Sequence, residues 1–191
     1  MADLAQILGG MDIYLVDQLM RGRIGEGMRI LDAGCGGGRN AGYFLRNGYE
    51  IEGIDREAEA LGGLPAGRFR VGELEALPYE AERFDVVIVS AVLHFARDEA
   101  QFRGMVGECW RVLKRGGIFF ARLTSTIGVE GIVKSLGGGR YWLPDGSERF
   151  CVDAGMIERY TREMGGELLD PIKSTVVSGE RSMATWVAAK G

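Results

Sequence analysis

The segment from Ile30 to Asn40, ILDAGCGGGRN, sets four glycines between an apolar run and a stretch of helical character. No other stretch narrows the available folds as much. A glycine turn between a strand and a helix lets backbone come close to a ligand, because glycine has no Cβ to hold it away. MRILDA (28–33) reads as the strand, RNAGYFLRNG (39–48) as a helix stopped at Gly48, and YEIEGID (49–55) as a second strand. Strand, tight turn, helix and strand in that order make the βαβ unit of a parallel sheet.

The remainder extends the same pattern. RFRVGE (68–73) is a short third strand, and FDVVIVSAVL (84–93) is so continuously apolar that it belongs in a sheet covered on both faces. Phe102, Val106, Trp110 and Leu113 mark one face of a helix over 98–113, followed after Gly116 and Gly117 by the strand GIFFARLT (117–124). A helix capped by Asp153 comes next, then ELLDPIKSTVV and RSMATWVAAK with only SGE between them. A parallel crossover needs a dozen residues or more, so this last pair is predicted to be antiparallel. At the other end, Leu4, Leu8, Met11, Leu15 and Leu19 recur at steps of three and four. They predict helices within 1–24, broken at Gly9-Gly10 and restarted by Asp12 as N-cap. The chain is thus expected to be a doubly wound α/β domain over 1–191.

The connection 125–150 is long for a compact domain, which marks such segments as functional or disordered. It is predicted to be an active-site flap, with a short helix in VEGIVKSL, a hinge at Gly137, Gly138 and Gly139, and aromatic surface in RYWLPDG.

Composition excludes several functions. A formal net charge of −4 with scattered arginines argues against a nucleic-acid surface. No apolar run approaches the roughly 18 residues of a membrane helix, and the start lacks a signal-peptide pattern, so a cytoplasmic protein without membrane contact is expected. Cys35, Cys109 and Cys151 lie far apart, which predicts neither disulfides nor a metal site.

The glycine loop itself discriminates among ligands. The dinucleotide fingerprint GxGxxG meets Arg39 or Ala41 where its third glycine belongs, and no lysine stands near 34–42 for a triphosphate loop. Asp55 follows Gly36 by 19 positions, at the end of the second strand, where a carboxylate can accept from ribose hydroxyls. A ligand with a ribose but no pyrophosphate fits both observations.

These residues resemble the class I S-adenosylmethionine-dependent methyltransferases. The likeness is carried in order by LDAGCGGG, GIDRE, VGELEALPYEAERFD, VVIVSAVLHF and LKRGGIFFARL, from about Met28 to Leu123, and by the terminal strand pair. GRN after the loop is similar to the tellurite-resistance type. The resemblance implies a mostly parallel seven-stranded sheet with helices on both faces and an antiparallel C-terminal strand. It implies S-adenosylmethionine as cofactor and S-adenosylhomocysteine as product. Asp32 would lie near the cofactor's ammonium and the backbone of Gly34, Cys35 and Gly36 along its methionine and ribose. Glu73 and Leu74 would face the adenine with Arg56 beside it, and Ser90 and Ala91 would border the transferable methyl.

On the acceptor side, the lone histidine, His94, is a candidate general base, with packing as its competing role. Tyr14, Tyr141 and Trp142 are candidate covers for the substrate, and Arg39, Arg122 and Arg140 candidate contacts for it. Cys35 has no evident base partner and is expected to pack. The predicted function is methyl transfer to a small-molecule acceptor by a monomer or homodimer. A nucleotide-dependent oxidoreductase and a noncatalytic cofactor-binding module are the alternatives.

Overall fold

A computed structural model describes residues 3–191. Met1 and Ala2, part of the predicted N-terminal helical segment, lie outside the described residues. Five α-helices, α1 (Leu4–Leu8), α2 (Ile13–Met20), α3 (Ala41–Arg46), α4 (Glu99–Val112) and α5 (Ala154–Glu163), accompany eleven strands. The strands are β1 (Arg29–Ala33), β2 (Glu50–Asp55), β3 (Phe69–Val71), β4 (Phe84–Ser90), β5 (Leu113–Ser125), β6 (Lys134–Gly137), β7 (Arg140–Trp142), β8 (Glu148–Phe150), β9 (Gly166–Leu168), β10 (Lys173–Val177) and β11 (Arg181–Lys190). The main sheet runs β10-β11-β5-β4-β1-β2-β3, seven strands, with β9 pairing the far half of β11. All neighbours from β5 to β3 are parallel, and β11 is antiparallel to β5 and β10.

The apolar runs read as two-sided strands, and alternation sorts them. Leu31, Val87, Val89, Phe119 and Ala121 enter one core with α4 and α5; Ile30, Val86, Ile88 and Phe120 enter the other with α2 and α3. Each fully buried large side chain contributes roughly 1.5–3 kcal/mol, so the paired cores dominate the fold's stability. Asp12, Asp98 and Asp153 cap α2, α4 and α5 by accepting from Tyr14 N, Gln101 N and Met156 N. The predicted strand ELLDPIKSTVV divides at Pro171, which has no N–H for a ladder, into β9 and β10 on successive halves of β11.

Chain order reverses at β1. The path leaves β1 toward β2 and β3 on one side and returns to β4 and β5 on the other, so the carboxyl ends of β1 and β4 flank a crevice. Open α/β sheets bind ligands at such a point.

Residues 125–150 hold no helix. VEGIVKSL instead forms turns through Val129 N→Thr126 O and Ile132 N→Val129 O, then strand β6. Gly128 and Gly131 and the β-branched Val129, Ile132 and Val133 disfavour a helix there. β6, β7 and β8 form a small antiparallel sheet. The three glycines expected as a hinge make its first hairpin turn, all with positive φ. Phe150, at the end of β8, stacks on Phe102 with ring centroids 4.6 Å apart and roots this sheet in the core.

Candidate active site

The glycine loop is fastened from below. Gly34 N and Cys35 N both donate to Ile54 O, at 2.7 and 3.1 Å, which ties the end of β1 to the end of β2. Asp55 then holds the loop by its carboxylate: Oδ2 accepts from Gly36 N at 2.8 Å and Oδ1 from Glu57 N at 3.0 Å. Gly34 has φ +77°, and a Cβ there would collide with Val92. Gly36 has φ +50°, and a Cβ there would meet no atom within 4 Å, so its backbone borders open space. One glycine is required by close packing and the other leaves room for a ligand.

Across the crevice β4 ends at Ser90, and Ala91 takes φ +63°, uncommon for a residue with a side chain. Its N–H donates to Arg122 O at 2.7 Å, which holds the conformation. Such strain, of order 1–3 kcal/mol, persists only where surrounding structure enforces it. The expected strand over 84–93 therefore stops at Ser90, and Leu93–Phe95 form a single 3-10 turn that carries His94.

Two cavities meet at Ala91. The first, about 260 Å³, is bounded by Gly34, Asp55, Arg56, Glu73 and Leu74 on one side and by Ser90, Ala91, Val92 and Met105 on the other. Its charged lining is four carboxylates, Asp55, Glu57, Glu73 and Glu75, against Arg56 alone. Arg56 pairs with Glu57 at 3.1 Å. The second, about 340 Å³, is bounded by Asp12, Arg39, His94, Arg122, Leu143, Arg149 and Arg181, among others. Its charged lining is four arginines against Asp12 and Asp145.

Asp32, at the end of β1, is 1% exposed and its Oδ2 has no hydrogen-bond partner. Burial pushes its carboxyl up to about 7, with Arg39 opposing and Asp55 adding to the rise. An unpaired buried carboxyl oxygen is costly and is stabilised by a cation brought beside it. His94 is buried, with Nδ1 unpartnered, and burial together with the charge of Arg149 pushes it down to about 4. It is a neutral imidazole at neutral pH. Cys35 packs its thiol into the core, its N–H donates to Ile54 O on β2, its carbonyl accepts from Gly38 N, and burial pushes the thiol up to about 12. A buried thiol held in its protonated form packs and shapes the loop.

The structure thus brings Gly34, Asp55, Arg56, Glu73, Leu74, Ser90 and Ala91 together on one cavity, and His94, Arg39 and Arg122 on the other. Tyr14, Tyr141 and Trp142 line neither. Tyr14 lies under the Arg122 guanidinium, 4.5 Å from it, and bonds Thr175 through its hydroxyl. Trp142 is 49% exposed on β7. Arg140 bonds Glu148 and the Ala96 carbonyl and so braces the small sheet. Arg149 and Arg181 are absent from the sequence-based candidates, because neither sits in a motif; only the placement of Arg149 inside the expected flap pointed to it.

The family model of the methyltransferase domain matches residues 31–121. A ubiquinone biosynthesis O-methyltransferase of Mesorhizobium japonicum is 30% identical over 180 residues, 86% of this chain and 69% of that protein. The chain belongs to the class I S-adenosylmethionine-dependent methyltransferases. It spans about half to two thirds of the length of several curated relatives it matches. Among solved structures, a methyltransferase of Methanosarcina mazei superposes with TM-score 0.73 at 18% identity, covering 90% of this chain and 96% of that one. A Burkholderia thailandensis 1,6-didemethyltoxoflavin-N1-methyltransferase, solved with bound 1,6-didemethyltoxoflavin and S-adenosylhomocysteine, gives 0.69 at 18% identity, covering 92% and 76%. These two likenesses concern the fold. The residues of the chain fit the family's cofactor on their own chemistry: an acidic cavity, an unpaired buried carboxyl oxygen and a backbone edge open at Gly36 suit a ligand that carries a sulfonium and an ammonium. Among the described residues no helix is long and apolar enough to cross a membrane.

Proposed function

We propose that this chain transfers the methyl group of S-adenosylmethionine to a small-molecule acceptor. The observation that carries the reading is the junction at Ala91, where an acidic cavity at the glycine loop adjoins a second cavity of about 340 Å³. That volume lies at the small end of the roughly 300–1,000 Å³ typical of ligand sites.

The bound cofactor supplies an already activated methyl group on its sulfonium. What remains for the protein is alignment, exclusion of water and tolerance of the changing charge. Asp55 carries lone pairs beyond those used by Gly36 and Glu57 and can accept from the ribose hydroxyls. Asp32 offers its free Oδ2 to the ammonium, and Glu73 and Leu74 border the adenine. Ser90 and Ala91 define the boundary through which donor and acceptor meet. Leu143, Asp145, Ser147 and Arg149 give residues 125–150 the part of a wall over the acceptor.

His94 lines the second cavity and is the candidate contact to the reacting group of the acceptor. A base held down near 4 is poorly matched to proton abstraction at neutral pH. Its part in this reading is to hold the acceptor by a hydrogen bond.

Calorimetric titration with S-adenosylhomocysteine and with NADH, followed by an acceptor panel read by S-adenosylhomocysteine release, tests the assignment. Binding of the first alone, with turnover, is expected. Binding of NADH alone would establish an oxidoreductase, and binding without turnover on any acceptor would favour a cofactor-binding module.

A further inference from the structure

We propose that the methyl acceptor is an anion, a small molecule bearing a carboxylate or phosphate group that Arg149 and its neighbours hold. The proposal rests on the methyl-transfer reading and names its substrate class.

The second cavity concentrates positive charge in a chain whose formal net charge is −4. Four arginines face it from four separate parts of the sequence: Arg39 after the glycine loop, Arg122 on β5, Arg149 on β8 and Arg181 at the start of β11. Two of these are internally balanced. Arg122 meets Asp12 at 3.2 Å, with both side chains mostly buried, and Arg181 lies 3.9 Å from Asp145. Arg39 and Arg149 are paired with no carboxylate among the described residues. Arg39 donates to Ser90 Oγ at 3.2 Å, and Arg149 donates only to the Glu148 carbonyl while its guanidinium lies 5.0 Å from the Phe95 ring centre.

Arg39 also stands nearest the glycine loop in sequence, so the carboxylate of the cofactor's methionine can claim it. Arg149 is then left over. It lies on the small sheet, on the acceptor side, and among the described residues it makes no ion-pair contact: Asp145, in the same cavity, pairs with Arg181 and acts on Arg149 only through space. Gathering uncompensated cations on one concave surface raises the free energy of the empty protein and is recovered when an anion enters. Guanidinium groups match carboxylate and phosphate in geometry as well as charge.

The chemistry of the junction agrees. A cationic donor on the acidic side and an anionic acceptor on the basic side attract across Ala91. In the transfer, the acceptor's lone pair forms the new bond to the methyl carbon as the carbon–sulfur bond breaks. The electron pair of that bond stays on sulfur, which becomes neutral, and a proton borne by the acceptor atom passes to solvent water.

The probes are benzoate, phenyl phosphate and the uncharged benzamide, titrated into protein saturated with S-adenosylhomocysteine at constant ionic strength. At least one anion is expected to bind on the order of tenfold or more tighter than benzamide, a margin that falls by a similar factor in Arg149→Gln and largely returns in Arg149→Lys. The stronger of the two anions identifies the charged group. Melting curves and S-adenosylhomocysteine affinity, both expected to be unchanged, show that the variants are folded. Equal binding of all three probes, or anion binding that survives Arg149→Gln, would overturn the proposal while leaving methyl transfer standing. Failure of S-adenosylhomocysteine itself to bind would instead remove the reading on which the proposal rests.

Discussion

The two cavities that meet at Ala91 are built by opposite means. The acidic one is assembled largely at the carboxyl edge of β1, β2 and β4, where Gly34 follows β1, Asp55 ends β2 and Ala91 follows β4. The basic one draws on the cap of α2, on β5, on the small sheet and on the start of β11, with 169 positions between Asp12 and Arg181. The first is a property of the parallel sheet and recurs wherever that topology does. The second depends on what surrounds the sheet, and it is where members of one fold can differ in substrate.

The largest effect is expected at the boundary between the two cavities. Gly34→Val forces a branched side chain into Val92 at a positive φ, at a combined cost of about 2–4 kcal/mol. S-adenosylhomocysteine affinity is expected to fall more than about 100-fold, with the midpoint of urea unfolding lowered. Near-normal calorimetric affinity in this variant would mean that the cofactor does not touch the loop.

Asp55→Ala acts on the acidic side alone. It removes the carboxylate that fixes Gly36 and Glu57 and that is assigned to the ribose, each charged hydrogen bond being worth roughly 1.5–3 kcal/mol. A loss of roughly 10- to 100-fold in S-adenosylhomocysteine affinity is expected, and Asp55→Asn should fall between. His94→Ala acts on the basic side alone, with turnover down on the order of tenfold and cofactor affinity within about twofold. A loss beyond about 100-fold would restore the role of general base to His94.

Much of the acidic side was legible in the sequence because its residues are bound to local grammar. A strand, its glycine turn and the carboxylate at the next strand's end sit at spacings the topology dictates, and the hairpin at the C-terminus followed from a three-residue linker. The failures share a cause. Gly137, Gly138 and Gly139 make a hairpin turn that the run of glycines alone did not announce, and Phe150 packs against Gly139. Trp142 is aromatic and near the site in sequence, yet its strand turns it outward. Arg149 and Arg181 carry no local signal, since what matters is that they reach one cavity, a fact of packing across the whole chain.

The smallest expected effect is in pH dependence, where the two sides oppose each other. Asp32, raised from 3.8 to about 7, keeps in the folded state a proton that the unfolded chain has lost, so its contribution lowers stability as pH rises between those values. His94, lowered from 6.5 to about 4, lacks in the folded state a proton that the unfolded chain holds, so stability rises with pH over that window. The opposed slopes, each at most about 1.4 kcal/mol per pH unit, partly cancel. Urea unfolding of Asp32→Asn from about pH 4.5 to 6 should therefore have a more positive slope than the parent, and that of His94→Gln a more negative one. Identical slopes in all three proteins would remove the assigned environments.

Methyl transfer across Ala91 requires a donor in the acidic cavity with its sulfur turned toward the basic one. A crystal structure with S-adenosylhomocysteine tests this directly. The predicted result has the ribose on Asp55, the adenine beside Leu74 and the sulfur next to Ala91, facing the cavity that holds Arg149. A ligand seated among the arginines, or a sulfur directed away from Ala91, would contradict it.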